Sequence, residues 1–259
     1  MRLRIRDQLS ARVDIALGLA GIATLIAIWS TLTYAGYVPP LYLPKPSSLL
    51  VWGLEFHQRH WLFPAIGRSF LRVTKSLLVV VAVGVPIGIL MGTFSEVDAI
   101  LRKIINGAKS VPTTGIIGLV IVWFGIEERG KIVFLFLGAI FYMVILVKNA
   151  VAVVPQEYVQ VALDLGATRR QVVWRVLLPG ALPQIWEAIA VCNGIMWTYI
   201  VLAEFMSSNE EHLGLGYLLQ IGSRTQDTAK VFAMLVVIAA ISAGTDWFLH
   251  AIRRRFLDW

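Results

Sequence analysis

The amino-acid sequence predicts an all-α integral membrane protein with six transmembrane helices, and three observations lead there. Hydrophobic residues make up 58% of the 259-residue chain and charged residues 15%, too apolar a balance for a soluble domain of this length. The apolar residues come in blocks, and a block of about 20 crosses the hydrocarbon core as a helix. Basic residues gather at both chain ends and between the fourth and fifth blocks, positions that six crossings place on one side.

The predicted spans are 15–34, 71–91, 100–124, 132–153, 185–205 and 229–251. Arg2, Arg4, Arg6 and Arg12 precede the first. Its long apolar run, with no A-x-A-like site behind it, favours an uncleaved span over a signal peptide. After it come Pro39, Pro40, Pro44 and Pro46, a stretch that cannot be regular helix and is expected to run extended along the outer surface.

The second span carries Gly84, Gly88 and Gly92 at four-residue intervals, with Pro86 beside them. Such a ridge lets another helix approach closely, as ordinary packing or as a moving seam between subunits. Arg68, Arg72 and Lys75 share one face at its outer entrance. That stripe either snorkels to headgroups or attracts an anionic solute or an acidic partner surface. In the third span Arg102, Lys103, Lys109 and Pro112 occupy the first half, so the helix should kink or restart near Pro112.

The fifth span holds Glu187 and Glu204 near opposite ends. Intramembrane polar groups are costly, which makes Asn193, Trp197, Thr198 and Glu204 candidates for a translocation path; hydrogen bonding to a neighbouring helix accounts for them equally well. Residues 207–227 are expected to face outward, with Asn209, Glu210 and Glu211 as a solvated tip. Leu213, Leu215, Tyr217, Leu218 and Leu219 then supply an apolar helix too short to cross, packed as a re-entrant segment over the path. Asp246, before the terminal Arg253, Arg254 and Arg255, reads as a packing or capping charge near the inner surface.

Several function classes recede. The net charge of +7 belongs largely to the two chain ends and does not call for nucleic acid. Cys192 is the sole cysteine, so no intrachain disulfide and no cysteine metal cluster is available. His57 and His60 share a helical turn without acidic support, and His212 and His250 are scattered, so no metal site is expected. No G-x-x-x-x-G-K-[ST] loop occurs, so the chain should not hydrolyse ATP.

Between spans four and five lies QVALDLGATRRQVVWRVLLP, residues 160–179, a polar stretch on the side of the basic chain ends. Ala162, Leu163, Leu165, Val172, Val173, Val176 and Leu177 recur at helical spacing, Gly166 interrupts them, and Pro179 with Pro183 closes the run. Two short helices at a glycine turn, with one apolar face and a rim of Arg169, Arg170 and Arg175, can enter a groove on a soluble partner. An amphipathic hairpin on the lipid surface is the competing form.

This stretch resembles the EAA loop of binding-protein-dependent ABC importer permeases, whose pattern is E-A-A, three residues, Gly, nine residues, Ile-x-Leu-Pro. Gln160, Val161, Ala162, Gly166, Val176, Leu178 and Pro179 keep the register, with Gln160, Val161 and Val176 in place of Glu, Ala and Ile. Leu43 to Pro46, the Trp123, Phe124 and Gly125 element, and Asp246 with Arg254 and Arg255 resemble the nitrate, sulfonate, taurine and bicarbonate branch of that family.

The resemblance implies a type I ABC importer permease fold in the bacterial inner membrane, with both termini cytoplasmic. It also implies one permease domain over 1–259, with its core at 66–251 and its cytoplasmic coupling loop at 155–182. Gln160, Val161, Ala162, Gly166, Ala167, Thr168, Arg169, Arg170 and Pro179 would dock two copies of an ATP-binding subunit, where ATP and Mg are held. The remaining partners would be membrane lipid, a second copy of this chain or a paralogue, and a solute-binding protein met by Glu210 and Glu211. An ion-gradient-driven secondary transporter is the alternative. It would normally show a central acid or a cation site in discontinuous helices, often with an internal repeat, and the sequence shows neither.

Overall fold

A computed structural model describes residues 10–58, 61–206 and 213–256, and no strand occurs among them. Helices α1 (Ala11–Tyr34) and α2 (Pro46–Gln58) lead into the long α3 (Leu62–Thr93). Then come α4 (Ser95–Lys109), a 3-10 turn (Thr113–Ile116) and α5 (Ile117–Phe124). The chain continues through α6 (Glu128–Ala152), α7 (Gln156–Asp164), α8 (Arg169–Val172), α9 (Leu178–Phe205), α10 (Leu215–Arg224) and α11 (Thr228–Phe256). Among the described residues five helices are long and apolar enough to cross a membrane, and α4 with α5, bent by 82°, makes up to a sixth. Sequence reasoning expected a restart near Pro112, and the break falls there.

Helices α3, α6 and α9 form the core, with Val80, Phe134, Leu135, Met143 and Ile200 fully buried among them. A Cβ placed on Gly88 would lie 2.6 Å from Val147 Cβ, and one on Gly92 would lie 2.6 Å from Val151 Cβ, so only glycine permits this approach of α3 to α6. The glycine ridge is therefore a seam inside one chain, in place of the subunit seam that was the alternative. By contrast α1 buries only Thr33 among its described side chains. It is tied at one end, where Trp29 Nε1 donates to the Pro44 carbonyl at 2.9 Å and the Trp29 ring meets Phe232 with centroids 6.2 Å apart.

Three expectations need correction. The proline-rich stretch does not run extended: the amides of Tyr42 and Leu43 both donate to the Pro39 carbonyl, at 3.0 and 3.2 Å, and Pro46 opens α2. Proline suits a first helical turn, where its missing N–H removes no bond. Helix α3 begins nine residues before the predicted second span, and Ala65 and the polar Ser69 in that added stretch are packed inside the bundle. Nor does the chain break at Pro179 and Pro183. A π turn (Val173–Leu177) joins α8 to α9, with the Leu178 amide donating to the Val173 carbonyl, and Pro179 then falls in the first turn of α9.

Candidate functional site

The connection between α6 and α9 is a compact knob whose ends are specified by local chemistry. Helix α7 stops where Gly166 adopts φ +81°, the left-handed region that a side chain resists. The Ala167 amide donates to the Ala162 carbonyl at 3.0 Å and the Gly166 amide to Leu163 at 2.9 Å, which satisfies carbonyls at the helix end. Two residues after Gly166, Thr168 caps α8. Its hydroxyl accepts from the Gln171 amide at 3.4 Å while Gln171 Oε1 accepts from the Thr168 amide at 2.8 Å. Val172 and Leu177 are buried toward the bundle.

The apolar residues of the knob do not share one face. Tyr158, Val161, Leu163, Leu165 and Trp174 point outward, and Leu165 is 83% exposed. Gln160, Thr168, Arg169, Arg170, Arg175 and Pro179 are also exposed, with Ala162 and Ala167 half-buried. The knob thus exposes apolar side chains together with Arg169, Arg170 and Arg175, the composition of a protein-docking surface. Behind it lies a cavity of about 320 Å³, lined by Phe94, Ser95 and Glu96 at the corner between α3 and α4, and by Gln156, Leu163 and Arg169. That corner is fixed to α6 by Asp98, which accepts from Arg102 Nε at 2.9 Å and pairs with Lys148 Nζ at 2.6 Å.

At the opposite end of the bundle, Glu204 is fully buried. Its Oε1 accepts from Ser69 Oγ and from Arg72 Nη1, both at 2.7 Å, and its Oε2 accepts from the Gly216 amide at 2.7 Å. Ser69 Oγ in turn accepts from the Leu215 amide at 3.0 Å. A carboxylate therefore meets the N-terminal amides of α10, where helix dipole and unpaired N–H groups favour negative charge. Gly214 leaves room for it, since a Cβ there would sit 2.2 Å from Glu204 Cδ. Arg72 also donates through Nε to Glu128 Oε2 at 2.8 Å, and the buried Lys131 lies 3.7 Å from Glu128 Oε1. Two cations and two carboxylates join α3, α6, α9 and α10. Of the basic stripe, Arg72 enters this cluster while Arg68 and Lys75 are exposed.

The other candidates in α9 divide. Asn193 is buried and donates through Nδ2 to Thr245 Oγ1 of α11 at 2.9 Å, and Trp197 is buried as well. Thr198 is exposed, its hydroxyl donating to the Gly194 carbonyl at 3.2 Å. The structure brings none of these three to the Glu204 cluster. Glu187 accepts from Arg253 Nη1 at 2.6 Å, and His250 Nδ1 sits 3.4 Å from Asp246 Oδ2, so these charges hold the far end of α11. Glu210, Glu211, His212 and His60 lie outside the described residues. No group able to hold a metal occurs among the described residues.

Sequence reasoning missed the partners of Glu204. A usable sign was Gly214 and Gly216 just beyond the fifth span, since paired glycines mark a close backbone approach.

Comparison with known proteins adds three kinds of match. A family model described as binding-protein-dependent transport system inner membrane component covers residues 84–258. The taurine transport system permease protein TauC of Escherichia coli is 32% identical, over 100% of this chain and 94% of that protein. A putative aliphatic sulfonates transport permease protein, SsuC of Bacillus subtilis, is 32% identical over 93% of this chain and 87% of its own length. The bicarbonate transport system permease protein CmpB of Synechococcus elongatus is 24% identical over 94% of this chain and 90% of its own. Among solved structures, a chain of the inward-facing MetNI methionine ABC transporter superposes with TM-score 0.67 at 22% identity, over 75% of this chain and 95% of that one. The fold is shared with that importer.

Proposed function

This chain belongs to the family of binding-protein-dependent transport system inner membrane components, and from that premise we propose how its parts divide the work of an ATP-driven importer. The chain is the permease subunit. ATP hydrolysis takes place in two copies of a separate ATP-binding subunit, which hold ATP and Mg and dock on the knob between α6 and α9. A second copy of this chain completes the path, and a soluble or lipid-anchored solute-binding protein delivers cargo at the opposite end. Both termini and the knob face the cytoplasm of a bacterial inner membrane, in agreement with the positive-inside bias. ATP binding draws the ATPases together, the knobs follow, and the two permease copies rock between inward and outward openings.

The observation that carries this reading is the knob itself. It exposes Val161, Leu165 and Trp174 alongside Arg169, Arg170 and Arg175, on a turn set by Gly166 and the Thr168 cap at one end of a bundle of spans. A lipid-surface hairpin would gain nothing from so defined a shape. The solute is a small oxyanion-bearing molecule, a sulfonate such as taurine or else bicarbonate, as the names of the relatives suggest. Uptake into proteoliposomes tests the energy source: it should require enclosed ATP and survive collapse of ion gradients. Uptake that persists without ATP and stops when a gradient is dissipated would instead support the secondary transporter.

A further inference from the structure

Helix α6 serves as a ruler for depth, because it spans Glu128–Ala152 without a break. At one end, a Cβ on Gly130 would meet the Gly125 carbonyl oxygen at 2.1 Å, so the end of α5 lies level with the start of α6. At the other end, Lys148 pairs with Asp98 of α4 at 2.6 Å. Midway, a Cβ on Gly138 would lie 3.5 Å from Thr113 Cγ2 and 2.9 Å from Tyr199 Cδ2. Ten residues of helix separate Gly138 from Glu128, about 15 Å at 1.5 Å per residue. The 82° break between α4 and α5 therefore lies deep within the membrane, near the centre of α6.

That depth makes the chemistry of the break unusual. Lys109, Ser110, Val111 and Pro112 are all exposed on this chain, and Pro112 supplies no N–H. Interrupted backbone at membrane depth persists only where protein covers it or water reaches it. Lys109 also lines a cavity of about 260 Å³ with Val111, Thr113, Trp123, Phe141 and Tyr142. Lys109 thus stands beside Phe141 and Tyr142 near mid-depth, and charges at such depth face a bundle interior or a wet cavity. No carboxylate among the described residues pairs with it. The cavity is slightly below the roughly 300–1,000 Å³ of ordinary small-molecule sites and so suits a small solute.

We propose that the break between α4 and α5 is a mid-membrane subsite on the translocation path, where Lys109 is the counter-charge for the sulfonate or other oxyanion head of the solute. Thr113 and Tyr142 line the same cavity, and Trp123 with Phe141 contributes to its largely apolar wall. The subsite rests on the substrate class argued above, and it moves the path away from Asn193 and Trp197, which are buried within one chain.

Thiol accessibility tests it in the full chain reconstituted in liposomes, since the native Cys192 is buried. In Val111→Cys protein, the anionic reagent sulfonatoethyl methanethiosulfonate should react from water, whereas Leu25→Cys on α1 should react only with lipid-soluble maleimide. Adding Lys109→Gln should lower the ratio of anionic to cationic (trimethylammonium) reagent rates about tenfold, the scale on which a charged cleft concentrates counter-ions. Lys109→Arg should preserve that ratio. Thr114→Cys serves as a second reporter should Val111→Cys fail to assemble. A ratio unmoved by Lys109→Gln, or reaction confined to the lipid-soluble reagent, overturns the subsite while leaving ATP-driven transport intact. Loss of ATP dependence with the charge effect retained would overturn the energy source instead.

Discussion

Arg72 Nη1 donates to Glu204 Oε1 at 2.7 Å across 132 positions of sequence, and both side chains are buried. The bond matters because Glu204 also receives the Gly216 amide, so a single carboxylate ties α3 to α9 and anchors the start of α10. Removing one member of such a pair leaves an uncompensated charge, a loss of about 3–5 kcal/mol. Glu204→Ala and Arg72→Ala should each lower the thermal unfolding temperature of the purified protein strongly. Glu204→Gln, which still offers an acceptor to the Gly216 amide, should cost less. Equal stability of Glu204→Ala and the parent would show that the cluster does not hold the bundle.

The glycine seam makes a steric forecast. Gly88→Leu has no room, since even a Cβ meets Val147 Cβ at 2.6 Å and the Val144 carbonyl oxygen at 2.9 Å. Overpacking of this kind costs about 1–3 kcal/mol or more in a close-packed core. A Cβ on Gly21 of α1 meets nothing within 4 Å, so Gly21→Leu should be neutral. Expression and monodispersity of the two variants, compared side by side, check the forecast, and matched behaviour would contradict the seam.

The sequence made some of this legible and hid the rest for physical reasons. The spans were visible because lipid demands long apolar blocks, and the break near Pro112 because proline and charge interrupt them. Gly166 is legible as a turn, and Thr168-x-x-Gln171 carries a capping signature. The ends of spans were harder. Arg72 looked like a surface stripe residue because hydropathy counts its charge and cannot see Glu204, and the start of α9 was set by a π turn that leaves no compositional mark. Long-range pairing is decided by packing, and no local pattern reports it.

Topology follows from the charge bias and can be checked by reporter fusion. Reporters after Trp259 or within residues 167–171 should read cytoplasmic, and those within residues 39–46 or 207–212 should read external. A cytoplasmic reading at residues 39–46 would mean that α1 does not cross, and would move the knob to the wrong side for an ATPase.

The acidic residues Glu210 and Glu211 come five and six positions after the last residue of α9 and are expected on the delivery side. Replacing both with Lys should weaken receptor-stimulated ATP hydrolysis while basal hydrolysis and assembly stay unchanged, because complementary charge acts chiefly on encounter. Full stimulation across a range of receptor concentrations would remove them from the docking surface.

The knob gives the sharpest test of partner docking, because its shape and its contact surface can be perturbed separately. Gly166→Ala forces a side chain into φ +81°, a strain of about 1–2 kcal/mol, and Thr168→Ala removes a helix cap for about 1 kcal/mol. Both should weaken co-purification of the ATP-binding subunit by distorting the knob. Leu165→Arg disturbs no packing, since Leu165 is 83% exposed, yet it replaces an exposed apolar side chain of the knob with a charge. It should cut ATPase recovery about tenfold, as loss of a contact worth roughly 1.4 kcal/mol would, with the thermal stability of the permease unchanged. Charge reversal at Arg169 and Arg170 should add to that loss. Undiminished recovery of the ATPase with Leu165→Arg and with the reversed arginines would place the docking surface elsewhere on the chain.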